Sequence, residues 1–321
     1  MKRLLTLVSM LVAVGLTAAA RADQYPSRPI TIIVPLTAGT TVDVVARIYS
    51  EAVSKRLGQP VVILNKPGAG GMIAAQSTAT SAPDGYTIQM ANSGHVIAGL
   101  LSRNLSFDAV ADFAGIAMVG EAPAVVVVSP KLNVKNLQEF VAMAKARPGA
   151  MNYGSGGVGS ATHLAGAHFL AKAGIDMVHV PYKTATDLLS DLVTGRVEAT
   201  FSPTAFVGPL VKDGKLQALA LGAEQPQTDP FPVPTARSAG VDYVYSTWYG
   251  FLAPAKTSQD VLNTLAAAFA AAAADPEVQA KVRTQGIAAK VKTLAAFDAH
   301  IREDAATLAP VIRDIASDTR N

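Results

Sequence analysis

Two short loops hold the residues best suited to binding chemistry. The first, Leu36 to Thr41, follows the apolar run Ile30 to Pro35 and leads into a helical pattern over Val42 to Leu57. The second, Gly154 to Ser160, follows Met151 to Tyr153 and leads into a helical pattern over Ala161 to Ala173. Each unit then continues into another short apolar run, Val61 to Leu64 in one copy and Met177 to Val180 in the other. A loop between the carboxyl end of a strand and the amino end of a helix is where open α/β sheets bind ligands. The first turn of such a helix leaves up to about four N–H groups unpaired and carries roughly half a positive charge. Small residues let an anion reach those amides and hydroxyls add donors, so the pattern points to capture of a carboxylate without any basic side chain. If the two copies belong to different domains, the loops face one another across a cleft, and closing it grips both ends of a small ligand.

Other chemistries find little support. No nucleophile elbow, H-E-x-x-H pair or nucleotide P-loop occurs. The absence of cysteine removes disulfides, thiolate metal sites, cysteine nucleophiles and a lipid-anchoring cysteine. His95, His168, His179 and His300 lack partners at metal-ligand spacing, and His163 and His168 are five apart instead of four, so neither a metal nor a cofactor is expected. Gly154, Gly156 and Gly159 do spell G-x-G-x-x-G, with Asp176 near the offset of a ribose-binding acid. The strand before them is short and partly polar, however, and Asp176 falls before the next strand instead of at its end. The same glycines serve an anion loop equally well. Asp43, in the first helical turn, has two readings: it satisfies the helix dipole, or it faces the cleft and selects a ligand carrying a donor or ammonium group. His163 reads as a cleft residue or as a packed helix-face histidine, and Tyr182 as a ligand contact or as interdomain packing. Trp248, the only tryptophan, lies near the expected return of the chain to its first domain and reads as structural, or as a fluorescent reporter of closure.

The elements that must position the loops follow from composition. Half of the residues are apolar and only 6% are aromatic, as in a well-buried α/β protein. Short apolar runs, including Tyr86 to Met90, Ala124 to Val128 and Leu216 to Leu221, alternate with helical stretches such as Leu137 to Ala146, which predicts parallel sheets with crossover helices. Gly58, Gly149, Gly174, Gly195 and Gly214 stand at or just past predicted helix ends. Ahead of all this, Lys2 and Arg3, the apolar stretch Leu4 to Leu16 and Ala20-Arg21-Ala22 read as a secretory leader over residues 1–22, cleaved after Ala22. The remainder, 299 residues with 24 basic and 24 acidic side chains, is near neutral and destined for the periplasm. Nucleic acid and anionic membrane surfaces, which demand clustered positive charge, are therefore not expected partners.

A series of short motifs then points to a family. Tyr25-Pro26-Ser27-Arg28-Pro29-Ile30, Val34-Pro35, Asn65-Lys66-Pro67-Gly68-Ala69-Gly70-Gly71 and Pro83-Asp84-Gly85-Tyr86-Thr87 occur in that order. They are followed by Ala144 to Gly149, Val180-Pro181-Tyr182-Lys183, Gly214-Lys215-Leu216 and Val233-Pro234-Thr235. In this sequence of motifs the chain resembles the substrate-binding receptors of tripartite tricarboxylate transporters, the Bug family. The resemblance implies an α/β, two-domain periplasmic-binding-protein fold of type II-like plan, with the ligand cleft between domains joined by crossover strands. It places residues 23–122 and 249–321 in one domain and 123–248 in the other. It implies a monomer that binds a small organic carboxylate (a di- or tricarboxylate, an aromatic carboxylate or an amino acid), has no enzymatic activity, and hands its ligand to the membrane subunits of the transporter. The matching site positions are Leu36, Thr37, Ala38, Gly39, Thr40, Thr41 and Asp43 on one side, and Ser155, Gly156, Gly159, Ser160, Thr162, His163 and Tyr182 on the other. The chain departs from the family in reading Ala38-Gly39-Thr40-Thr41-Val42 where a Pro-Gly-Gly-Gly-Thr run is usual, in Thr184 for glycine, and in Leu64 for an acid, so the resemblance does not fix the ligand. A periplasmic enzyme acting on an organic acid, and a receptor presenting its ligand to a membrane sensor, stay open as other readings.

Overall fold

A computed structural model describes residues 25–102, 104–158, 160–182, 184–226 and 231–318. The predicted leader, residues 1–22, lies outside them. The chain forms β1 (Ile30–Val34), α1 (Thr41–Leu57), β2 (Val61–Asn65), α2 (Met72–Ala79), β3 (Thr87–Asn92), α3 (Ser93–Leu101) and β4 (Phe113–Val128). Then come α4 (Leu137–Lys145), β5 (Asn152–Ser155), α5 (Ala161–Ala173), β6 (Val178–Pro181), α6 (Ala185–Thr194), β7 (Ala199–Pro203), α7 (Thr204–Lys212) and β8 (Gln217–Leu221). The last elements are β9 (Ser246–Pro254), α8 (Gln259–Ala273), α9 (Pro276–Arg283), β10 (Ala288–Thr293) and α10 (Ala295–Asp318).

The strands follow the order β2-β1-β3-β9-β4-β7-β5-β6, with β10 and β8 also paired to β4. Parallel pairing is confined to the flanks: β1 with β2 and β3 on one side, β5 with β6 and β7 on the other. Every partner of β4 is antiparallel. The expected parallel sheets are thus mixed, and the reason is the length of β4. Its first part pairs with β9 from Phe113↔Pro254 to Pro123↔Ser246, and its last part, Ala124 to Val128, pairs with β7 and β8. One strand of 16 residues therefore belongs to both sheets, and only its end stood out as an apolar run in the sequence.

Period-2 geometry explains how that run is buried. Val126 and Val128 pack into a core with Phe140, Phe169 and Tyr243, whereas Val125 and Val127 face a core built on Leu188, Leu192 and Val207. The other sheet is covered likewise, by α1 and α8 on one face and by α2, α3 and α10 on the other. A strand buried on both faces needs no polar alternation, which is why β1 reads Ile-Thr-Ile-Ile-Val. The helices end where glycine lets the chain turn left-handed: Gly58 after α1 has φ 67° and Gly174 after α5 has φ 61°. The result is two α/β lobes of the periplasmic-binding-protein type, joined by crossover strands.

Helix α10 ties the lobes a second time. Phe297 and Ile301 near its start pack with Trp248 and Leu252, while Leu308 and Ile312 reach the core of the other sheet beside Phe169 and Tyr243. Trp248 is 1% exposed and donates its indole N–H to Asp304 Oδ2 at 2.8 Å. Burial pushes the Asp304 carboxyl up to about 6, a rise that the Trp248 bond opposes. A folded-state value above the unfolded one means that this group supports the fold fully below about pH 4 and loses that support as pH rises through about 6. Urea unfolding of the wild type is therefore expected to lose about 2 kcal/mol between pH 4 and pH 7 relative to Asp304→Asn, which cannot ionise. Parallel pH profiles for the two proteins would contradict this.

Candidate ligand-binding site

The first loop is shaped by a buried carboxylate. Because β1 and β2 run parallel with Val34 opposite Asn65, the Asn65 side chain arrives beside the loop that leaves β1. Its Nδ2 donates to the Leu36 carbonyl at 3.0 Å and to Asp43 Oδ1 at 2.8 Å. Asp43 Oδ2 accepts the Gly39 N–H at 2.9 Å, and Arg47, one helical turn on, donates through Nε and Nη2 at 2.9 and 3.0 Å. Gly39 meets Asp43 with φ 84°, a left-handed conformation that favours glycine. The bond from Arg47, with those from Gly39 and Asn65, holds the Asp43 carboxyl down at about 2. Asp43 is 2% exposed. Of the two readings of Asp43, this geometry supports the structural one over a carboxylate open to the cleft: the oxygens are occupied by the protein's own donors. Arg47 and Asn65 were missed in the sequence, although the i, i+4 spacing of Asp43 and Arg47 was a signal.

Thr40, the N-cap of α1, spends its hydroxyl on the Thr37 carbonyl at 2.9 Å and does not cap the helix. The first-turn amides from Thr41 to Asp43 therefore receive no cap from Thr40. The second loop is held differently. Ser155 is fully buried and shares a 2.6 Å hydrogen bond with His179 Nε2, while Gly157 N–H donates to its Oγ at 3.1 Å. Thr162 Oγ1 accepts the Gly156 N–H at 2.9 Å, and Ser160 caps α5 by accepting the His163 N–H at 3.2 Å. Gly159 lies outside the described residues.

The two loops meet at a cavity of about 410 Å3. Thr41 reaches it from α1, Gly156 and Thr162 from the second loop and α5, Thr184 from the N-cap of α6, and Ala205 and Phe206 from the first turn of α7. Tyr182, Leu188, Pro203, Tyr249 and Gln285 complete the wall. None of these lining residues is a lysine, arginine or histidine, so attraction for an anion there has to come from the helix starts. Tyr182 shows its ring, because its hydroxyl donates to Asp191 at 2.9 Å; burial, and then Asp191, pushes that hydroxyl up to about 12. Leu36 to Thr40, Ser155 and Ser160 shape the loops without lining the cavity.

His163 is placed elsewhere. It stacks on His179 at 3.7 Å between ring centroids and lines a separate cavity of about 550 Å3 with Tyr153 and Asp176. Burial pushes it down to about 4, with a further contribution from His179. Asp176 also lies away from Gly156, which removes the spatial basis of the dinucleotide reading. Thr184, Leu188, Phe206, Tyr249 and Gln285 were not anticipated as cavity residues. They come from four separate segments that only the tertiary fold brings together.

Two α/β lobes with crossover strands and a cavity walled by helix starts from both define a solute-binding protein. The chain matches the tripartite tricarboxylate transporter family receptor over residues 45–316, and it belongs to that family. It is 34% identical over 306 residues to protein BugT of Bordetella pertussis, covering 90% of this chain and 94% of that one. The fold is similar to that of a TctC solute-binding protein from Polaromonas, with a TM-score of 0.81 and 30% identity over 90% of this chain and 99% of that one. It is also similar to an R. palustris protein solved with adipate, with a TM-score of 0.76 and 28% identity over 91% and 98% of the two chains.

Asp43→Asn removes the ion pair with Arg47 but keeps an acceptor for Gly39. It should cost about 1–2 kcal/mol of stability at pH 7 and weaken every ligand by a similar factor, measured by urea unfolding and calorimetry. Since the folded carboxyl is held near 2 and the unfolded one near 3.9, the stability difference should close as pH falls from about 4 towards 2. A changed ranking of ligands in this variant would indicate a direct Asp43 contact instead.

Proposed function

We propose that this protein is a periplasmic receptor that captures a small organic carboxylate between its lobes and delivers it to the membrane subunits of a tripartite transporter. The observation that carries this reading is the convergence of Thr41, at the start of α1, of Thr162, in the first turn of α5, and of Gly156, in the loop before α5, on one cavity. Each helix start offers amides and a partial positive charge to an anion, and the two come from different sheets. The adipate held by the R. palustris relative is consistent with a carboxylate as the ligand. Family membership supports the transporter as partner, and no described helix is long and apolar enough to cross a membrane. In this reading the leader is removed after Ala22 and the mature chain acts as a monomer. One lobe comprises residues 23–122 with 249–321, the other residues 123–248, and the far end of α10 packs onto the second.

Closure depends on a close contact between the lobes. The turn at Gly286, between α9 and β10, lies against Ala205 at the start of α7, where a methyl group on Gly286 would overlap the Ala205 side chain and come within 2.9 Å of its nitrogen. Thermal-shift screening of the mature chain against carboxylates tests the main reading, since a ligand at 100 times its Kd stabilises by about 2.7 kcal/mol. Turnover of a bound acid would favour an enzyme instead. Gly286→Val should prop the lobes apart and weaken the best ligand by about tenfold or more. Wild-type affinity in this variant would show that the contact plays no part in closure.

A further inference from the structure

Aromatic side chains in this protein almost all pack on one another. Among the described tyrosine, phenylalanine and tryptophan residues, only Tyr182, Phe206, Phe231 and Tyr249 have no aromatic ring neighbour. Three of those four, Tyr182, Phe206 and Tyr249, line the 410 Å3 cavity. They reach it from β9 and from two segments of the other lobe, so the fold brings the three residues to one place, Tyr182 and Phe206 half-buried and Tyr249 buried at its edge. Leu188, Pro203 and Ala205 extend the same apolar wall.

The polar groups around this wall are unsuited to a second carboxylate. The Tyr182 hydroxyl is donated to Asp191 and the Thr184 hydroxyl to Asp187, at 2.9 and 2.7 Å, so both donors are spent on groups of the wrong charge. The Gly286 turn lies beside the start of α7, close enough that an added Cβ would come within 2.9 Å of the Ala205 nitrogen. The remaining lining side chains are neutral. Gln285 presents an amide side chain, and Tyr249, 6% exposed, has a hydroxyl with no hydrogen-bond partner among the described residues. Unlike the sealed, unpaired atoms of Gln89, Tyr245 and Thr257, that hydroxyl keeps some exposure, and its residue lines the cavity.

We infer that the ligand is an aromatic monocarboxylate, its single anionic group at the starts of α1 and α5 and its ring among Tyr182, Phe206 and Tyr249. The Tyr249 hydroxyl then meets a neutral polar substituent on the far side of that ring. Aromatic rings gain from offset or edge contact with other rings beyond simple burial, which a linear aliphatic chain does not. A second carboxylate would have to give up its water among spent hydroxyls and acids. This inference rests on the receptor reading and narrows it.

Calorimetry on the mature chain with benzoate, 4-hydroxybenzoate, adipate and malate tests it. The aromatic acids should bind at least about tenfold more tightly than the two aliphatic diacids. Phe206→Leu, which keeps an apolar side chain, should erase most of that preference. Tyr249→Phe should abolish the advantage of 4-hydroxybenzoate over benzoate, with the melting temperature of each variant checking that it folds. Adipate or malate binding as tightly as the aromatic acids would overturn the inference and leave the carboxylate receptor standing. Failure of carboxylates of every kind to bind in the wider screen would remove both.

Discussion

The proposed site depends on peptide N–H groups that secondary structure leaves without partners. A helix cannot satisfy its own first-turn amides, and most proteins dispose of them with a capping side chain. At the start of α1 that remedy is withheld, since the Thr40 hydroxyl turns back to Thr37. The amides are kept in place by a group outside the ligand cavity, Asp43, whose carboxylate is itself fixed by Arg47 and Asn65. A mobile loop would lose its preorganisation to conformational entropy each time it bound. Charge is thus present twice, as an ion pair between the buried Asp43 and the half-exposed Arg47 that sets the geometry, and as a diffuse helix dipole that faces the cavity.

The second lobe solves the same problem with neutral groups. Thr162, Ser160 and Ser155 bond the loop to itself, and His179 anchors Ser155 from behind. The His163–His179 stack lies on the far side of the loop, where both imidazoles are held below their ordinary value by burial. Neutral rings suit that position. Two charged imidazoles in face-to-face contact would repel one another, and their packing against Tyr153 would be lost.

Much of the architecture was legible in the sequence, because strand and helix periodicity and glycine stops are local signals. The helix from Ala161 to Ala173 is found with the same bounds, and the two loops fall at the ends of β1 and β5 as expected. The direction of the central strands was not legible: a buried antiparallel strand and a buried parallel one are both apolar runs, and the first half of β4 is broken by Gly115 and Gly120. The side of a helix on which His163 lies was equally out of reach, since it depends on what packs against α5. Asp43 is instructive in another way. Its position beside the loop after β1 was legible, but whether its oxygens were free depended on Asn65, brought in by the register of a neighbouring strand. The rest of the cavity wall, including Tyr249 and Gln285, is assembled from distant segments and leaves no spacing to read.

The paired crossover strands β4 and β9 have a mechanical consequence. They are bonded side by side from Phe113↔Pro254 to Pro123↔Ser246, and the ladder is continued by the bond from Ala124 N–H to the Tyr245 carbonyl. A two-stranded ribbon flexes readily across its flat face and resists bending within its own plane, because edgewise bending must stretch one row of peptide bonds against the other. With α10 packed on both cores as well, this connection favours one direction of swing between the lobes over all others, as a cloth spine does for the covers of a book.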